Sequence, residues 1–266
     1  MNYLFTQFSK IKELLRDKFI LLLLDYDGTL TPIVEMPEKA VISKEAKELL
    51  QGLSKSHHCE LAIISGRSLK DIKNIVGIKG IIYAGNHGLE IEGPEIKFRS
   101  PVSPRSKEVI SNVYKGITNK LLKIKGVLIE DKGLTISAHY RMADNKDVPE
   151  FKRIFGEITA PFVIRDKIKI TEGKKVFEIK PPVKWTKGSV ALWFLARQKS
   201  ALGENKVFPV YIGDDITDED AFRALKNKGL TIFVGEPKDS AADYYVKNTE
   251  EAIKFLRAIL AVKERT

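Results

Sequence analysis

The residues best suited to chemistry sit where short apolar runs stop. Residues 19–24 (FILLLL) end at Asp25-Tyr26-Asp27-Gly28-Thr29, and residues 61–64 (LAII) end at Ser65-Gly66-Arg67. Residues 81–84 (IIYA) lead into Gly85-Asn86-His87-Gly88, and residues 207–212 (VFPVYI) into Gly213-Asp214-Asp215, with Asp218 just beyond. Carboxylates clustered this way repel one another unless a cation neutralises them, and an all-oxygen donor set selects a hard ion such as Mg²⁺. Mg²⁺ takes one or two carboxylates and completes its shell with water and substrate phosphate oxygens. The chemistry indicated is a Mg²⁺-assisted phosphoryl reaction. No Walker loop, no GxGxxG after a strand and no HExxH occurs in the chain, which disfavours a P-loop nucleotide hydrolase. A carboxylate can instead be the nucleophile and form an aspartyl-phosphate. Asp25 and Asp27, on an extended segment ending in a turn, can address opposite sides of a phosphoryl group, one attacking and the other handling protons.

The surrounding elements must bring these turns together. Unbroken apolar runs of this length suit strands buried on both faces, as in parallel sheets. Pro209 counts against its run, since proline favours edges and strand starts. Helical patterns alternate with the strands. Residues 43–56 carry Ala46, Leu49, Leu50 and Leu53 at helical spacing behind Ser43 as N-cap. Ser68 and Asp71 resemble a capping box ahead of Leu69, Ile72, Ile75 and Val76. Residues 218–225 and 249–262 read as helices, with strand-like 231–234 and 244–246 between them. This alternation predicts an α/β fold with a Rossmann-like, doubly wound parallel-sheet core. Ligands of such sheets bind beyond the carboxyl ends of the strands, where all four turns would lie.

The middle of the chain reads differently. A helix runs from Pro104 to about Lys123, and strand-like 127–130 and 134–140 flank Lys132-Gly133. A second helix near 148–158 precedes strand-like 162–165, 168–171 and 176–179. Close-spaced strands with short turns predict an inserted α+β domain over residues 104–181, leaving a discontinuous core of 1–103 and 182–266.

Composition narrows the function classes. The chain has 266 residues, 43% hydrophobic and 30% charged, which suffices for a substantial core and argues against disorder. A single cysteine, Cys59, excludes an internal disulfide or a multi-cysteine zinc site. The run at 19–24 is too short to span a bilayer, and no basic-then-apolar leader opens the chain, so a cytoplasmic location and no membrane partner are expected. The net charge of +10 raises a nucleic-acid partner. The basic residues are dispersed and no nucleic-acid motif accompanies them, so none is expected; a basic surface equally draws an anionic small molecule.

Asp25-Tyr26-Asp27-Gly28-Thr29-Leu30 resembles the DxDGT(L) motif of the haloacid dehalogenase superfamily of phosphatases. Ser65-Gly66-Arg67, Lys187-Gly188, and Gly213-Asp214-Asp215 with Asp218 resemble its second, third and fourth motifs, in order. The insertion falls where type-two caps occur. Gly85-Asn86-His87-Gly88, Ser137-Ala138-His139-Tyr140-Arg141, Glu178-Ile179-Lys180-Pro181 and the stretch from Gly213 to Asp220, closed by Phe222, resemble the trehalose-6-phosphate phosphatase family. Thr186 precedes the third-motif lysine as expected, although Trp185 before it is a departure.

The resemblance implies hydrolysis of trehalose 6-phosphate with Mg²⁺ through an aspartyl-phosphate. Asp25 is then the nucleophile and Asp27 the general acid and later the base. Ser65 binds a phosphoryl oxygen, and Lys187 offsets charge on the nucleophile and phosphoryl group. Mg²⁺ is held by Asp25, the backbone carbonyl of Asp27 and Asp214, with Asp215 and Asp218 in support. Glu178 and Lys180, alternate residues of one strand and so on one face, are implied to reach sugar hydroxyls. Arg67, His87 and Arg141 are further substrate-contact candidates. With no glycosyltransferase segment ahead of the phosphatase motifs, a separate synthase is the expected pathway partner.

Plainer readings exist for each residue. Asp25 and Asp27 suit a turn cap, and Asp215 and Asp218 suit the acidic first turn of a helix. His87 suits a packed turn, and His139 with Tyr140 an aromatic-lined core. Rival functions are a related phosphatase acting on sucrose phosphate or mannosyl-3-phosphoglycerate, and a non-catalytic sugar-phosphate-binding module.

Overall fold

The structure is a computed structural model that describes residues 1–264. The chain opens with β1 (Asn2–Tyr3), α1 (Phe8–Arg16), β2 (Phe19–Leu24), α2 (Lys44–Lys55), β3 (Cys59–Ile64), α3 (Leu69–Val76) and β4 (Ile82–Gly85). Two short strands follow, β5 (Glu90–Gly93) and β6 (Ile96–Arg99). Then come α4 (Pro104–Leu121), β7 (Leu128–Asp131), β8 (Ile136–His139), α5 (Val148–Ile164), β9 (Lys169–Gly173) and β10 (Val176–Lys180). The chain closes with α6 (Lys187–Leu202), β11 (Val207–Gly213), α7 (Glu219–Leu225), β12 (Leu230–Val234), β13 (Tyr244–Val246) and α8 (Thr249–Lys263).

The chain forms two compact units, Met1–Phe98 with Trp185–Thr266, and Arg99–Lys184. The first is built on a nine-stranded sheet in the order β1-β13-β12-β11-β2-β3-β4-β5-β6. Every pairing from β1 to β4 is parallel, and β5 is antiparallel to β4. β2 shows why its run has no polar alternation. Ile20, Leu22 and Leu24 enter a core with α1, α2, α3 and α8, while Leu21 and Leu23 enter another with α6 and α7. A central strand covered on both faces needs apolar side chains at every position. Pro209 is tolerated in β11 because pairing with β12 begins only at Val210. The hairpin of β5 and β6 at the sheet edge had no counterpart in the sequence pattern, since Glu90, Glu92, Glu95 and Lys97 dilute its apolar residues.

The second unit carries a four-stranded antiparallel sheet, β7-β8-β10-β9, with α4 and α5 on one face. Ile110, Val113, Ile117 and Leu121 supply the buried stripe of α4. Residues 162–165, expected as a strand, are corrected. Phe162 to Ile164 complete α5, whose cap is Arg165. Phe151, Phe155, Ile158 and Phe162 fall at helical spacing against the same core, and that packing overrides the strand preference of Phe-Val-Ile, with Pro161 inside the helix.

Candidate active site

Sheet register decides which turns meet. Leu24 is paired with Ile63 on one side and Ile212 on the other, so β2, β3 and β11 end level. The Asp25 amide donates to the Ile212 carbonyl at 2.9 Å, and the Ser65 amide to Ala84 at 2.9 Å. Asp25, Ser65 and Asp214 therefore leave the sheet at one edge, where ligands of such sheets bind.

Lys187, the first residue of α6, joins two of the motifs. Its Nζ donates to Asp25 Oδ1 at 2.6 Å and to Asp218 Oδ1 at 2.8 Å, and all three side chains are buried. Tyr211 donates its hydroxyl to the same Asp218 oxygen at 2.7 Å. Burial pushes the Asp25 carboxyl well above the usual carboxylate range; Lys187 opposes this, and neighbouring Asp218 and Asp214 add to it. Burial also works against the Lys187 charge, but Asp218 and Asp25 outweigh it and hold the ammonium protonated. Thr29 Oγ1 reaches the second Asp25 oxygen at 3.4 Å.

Asp25, Asp214 and Asp218 offer carboxylate oxygens within 4.8 Å of one another, all buried. An all-oxygen set of that compactness fits a hard divalent cation. A Cβ on Gly28, at φ +86°, would lie 2.1 Å from Asp214 Oδ2, so the chain is shaped to let that carboxylate in. Asp218 is the most committed of the three. Besides Lys187 and Tyr211, its Oδ2 accepts from the amides of Asp214 at 3.1 Å and Asp215 at 3.0 Å. Its carboxylate turns back to shape the turn after β11 and makes no side-chain cap for α7. The Asp215 carboxylate lies outside the cluster and accepts from the Ile216 amide at 2.7 Å.

Asp27 is held by a different partner. Both its oxygens accept from Arg67, Oδ2 from Nε at 2.8 Å and Oδ1 from Nη2 at 2.7 Å. Arg67 also donates to Asp71 Oδ2 at 2.9 Å and to the Pro37 carbonyl at 2.8 Å. Burial opposes its charge, but Asp27 and Asp71 raise its pKa. Arg67, expected as a substrate contact, directs these four donors at protein acceptors. The Arg67 amide donates to Ser65 Oγ at 3.1 Å, leaving the serine hydroxyl hydrogen for an acceptor. The turn after β4 is laced to this loop, with Asn86 N to Arg67 O at 2.7 Å and His87 N to Ser65 O at 2.9 Å. Asn86 and His87 both take positive φ, and His87 is buried.

In the second unit, alternation puts Glu178, Lys180, Ser137, His139 and Glu130 on the sheet face opposite the helices. Glu178 contacts Lys180 at 3.3 Å, and Lys132 and Ser137 at 3.5 Å. His139 and Glu130 pair at 2.6 Å, whereas Tyr140 packs on Phe151 in the core, dividing two neighbours that the sequence left together. Arg141 donates to the Lys174 carbonyl at 2.6 Å. Lys132 and Glu130 escaped the sequence reading, although Glu130 was accessible by strand alternation; Tyr211 and Asp71 gave no signal beyond a strand residue and a helix cap.

The trehalose-phosphatase family pattern matches residues 23–250. The chain is 37% identical over 270 residues to the trehalose 6-phosphate phosphatase RA3 of Zea mays, covering 95% of this chain and 73% of that protein. It is 36% identical over 273 residues to the probable trehalose-phosphate phosphatase D of Arabidopsis thaliana, covering 97% and 72%. In fold it resembles the C-terminal domain of the C. albicans trehalose-6-phosphate phosphatase, with a TM-score of 0.83 at 22% identity over 95% of this chain and 96% of that one.

Proposed function

The chain belongs to the trehalose-phosphatase family, and from that premise we propose that it hydrolyses trehalose 6-phosphate to trehalose and phosphate with Mg²⁺, through an aspartyl-phosphate. The observation that carries the reading is the buried bridge from Lys187 to Asp25 and Asp218 beside Asp214. An ammonium holding one oxygen of a buried carboxylate orients it as a nucleophile and compensates charge at the reacting centre.

Asp25 attacks phosphorus, and the bond from phosphorus to the sugar oxygen breaks. Asp27 gives its proton to that departing oxygen. Asp27 then takes a proton from water as the water attacks phosphorus, the bond to Asp25 breaks, and phosphate leaves. Ser65 donates to a phosphoryl oxygen, and Lys187 stabilises the charge that builds there. Asp25, Asp214 and the Asp27 carbonyl would hold the metal, with Asp215 and Asp218 in support behind them. Bound Mg²⁺ supplies charge neutralisation and alignment of the phosphoryl group. Glu178, Lys180 and Arg141 of the second unit bind sugar hydroxyls, and His87 contributes a further contact.

No described helix is long and apolar enough to cross a membrane. The test is phosphate release from trehalose 6-phosphate, sucrose 6-phosphate, glucose 6-phosphate and mannosyl-3-phosphoglycerate, with Mg²⁺ and with chelator. A Mg²⁺-dependent preference for trehalose 6-phosphate is expected. Preference for another sugar overturns the substrate, and turnover unaffected by chelator overturns the metal.

A further inference from the structure

We infer that Arg67 and Asp71 form a positioning clamp that sets the orientation of Asp27, and that Arg67 acts through Asp27 and does not itself grip the substrate. This rests on Asp27 being the proton carrier. A general acid must meet one oxygen atom at hydrogen-bond distance, and a misplacement of about 1 Å costs roughly 100-fold. Asp27 needs outside help to hold such a position, because its side chain is 41% exposed. Arg67 is 8% exposed and takes both Asp27 oxygens in a two-point fork. That geometry fixes the plane of the carboxylate as well as its place.

The clamp is itself anchored on three sides. Asp71, in the first turn of α3, takes Nη1, while its own amide is tied to the Ser68 hydroxyl at 3.1 Å. The Pro37 carbonyl shares Nη2 with Asp27. The guanidinium carbon lies 5.5 Å from the ring centre of the buried Tyr26, whose hydroxyl donates to the Ala40 carbonyl at 2.7 Å. Four of the five N–H donors of a guanidinium are thus directed at the protein. The Arg67 amide donates to Ser65 Oγ in its own loop, and the Arg67 carbonyl accepts from the Asn86 amide in the turn after β4. Asp71 has no other assigned role, and it completes the clamp from the far side of Arg67 from Asp27.

The experiment compares the sugar phosphate with p-nitrophenyl phosphate, whose leaving group departs without protonation. Arg67→Met is expected to lower kcat on trehalose 6-phosphate about 30- to 100-fold, within the range of general acid–base contributions. KM should change less than about threefold, and the first-turnover burst of p-nitrophenol should keep its rate within about threefold. Arg67→Lys, which replaces the fork by a single point, should fall between Arg67→Met and the parent. Asp71→Ala should lower kcat on the sugar phosphate a few-fold with the burst unchanged. Equal losses on both substrates, or a rise in KM with kcat retained, would sink the clamp and make Arg67 a structural or substrate-binding residue. Asp27→Asn separates the two claims: if it shows no dependence on the leaving group, the reading of Asp27 has failed and the clamp falls with it, whereas a leaving-group-dependent loss in Asp27→Asn that Arg67→Met does not share overturns the clamp alone. Should Arg67→Met not fold, Asp71→Ala decides, because Asp71 is 44% exposed and its own amide cap survives the change.

Discussion

A buried ammonium between two buried carboxylates is the feature on which the site's electrostatics turn. Removing one partner of such a group strands charge in a poorly solvated place, at about 3–5 kcal/mol. Lys187→Met should therefore lower stability by that order and reduce turnover at least about 1,000-fold, the former read from urea midpoints. The pH dependence has a definite sign. The Asp25 carboxyl sits above its unfolded value, so the folded state takes up a proton more readily than the unfolded one. Without Lys187 it is pushed higher still, and the deficit of the variant should shrink as pH falls from 8 to 5. A deficit that grows toward pH 5 would contradict the assigned cause. Gly28 is the second sensitive position. Gly28→Ala places a methyl against Asp214 in a left-handed backbone and should abolish metal-dependent phosphate release, with metal titration as the check.

At the scale of elements, function depends on strands ending level and on helices held at their ends. The C-terminal helix α8 has an unusual part in this. Lys263 is 5% exposed and donates to the carbonyls of Leu15 at 2.6 Å, Arg16 at 2.9 Å and Lys18. One ammonium thus caps the end of α1 and pins the start of β2, the strand that leads to Asp25. Lys263→Met should lower stability by about 2 kcal/mol, because the carbonyls lose a charged donor inside the fold. Turnover at saturating substrate should stay unchanged, since the contact lies at the opposite end of β2 from Asp25. Chemical denaturation beside steady-state assays checks both halves of that expectation.

Across the whole molecule, ligand binding and net charge set the conditions under which the site works. A cation that binds the folded cluster of Asp25, Asp214 and Asp218 stabilises it by mass action, about 2.7 kcal/mol at a hundredfold excess over Kd. Mg²⁺ should raise the melting temperature of the parent, chelator should reverse it, and Asp214→Asn should show neither. A shift that survives Asp214→Asn would place the cation elsewhere. The net charge of +10 should also draw a dianionic substrate, so kcat/KM should fall several-fold as ionic strength rises from about 20 to 300 mM.

The sequence by itself determined the class of fold and the chemistry worth looking for. Unbroken apolar runs mark strands covered on both faces whatever packs there, and the residue types behind those runs limit the reaction. It could not decide partners. Residues 162–165 read as a strand until the core aligned Phe162 with Phe155 and Ile158 on α5. Asp218 stood between a support for the metal and a helix acid, and only the fold shows its carboxylate holding the turn of Asp214 and Asp215 and sharing Lys187 with Asp25. Arg67 was expected as a substrate contact, and its pairing with Asp27, 40 residues away, and with Asp71 is visible only in the fold. The physical reason is common to all three. Periodicity and side-chain type act along the chain and can be read from it, whereas a hydrogen-bond partner is set by register and packing between segments distant in sequence.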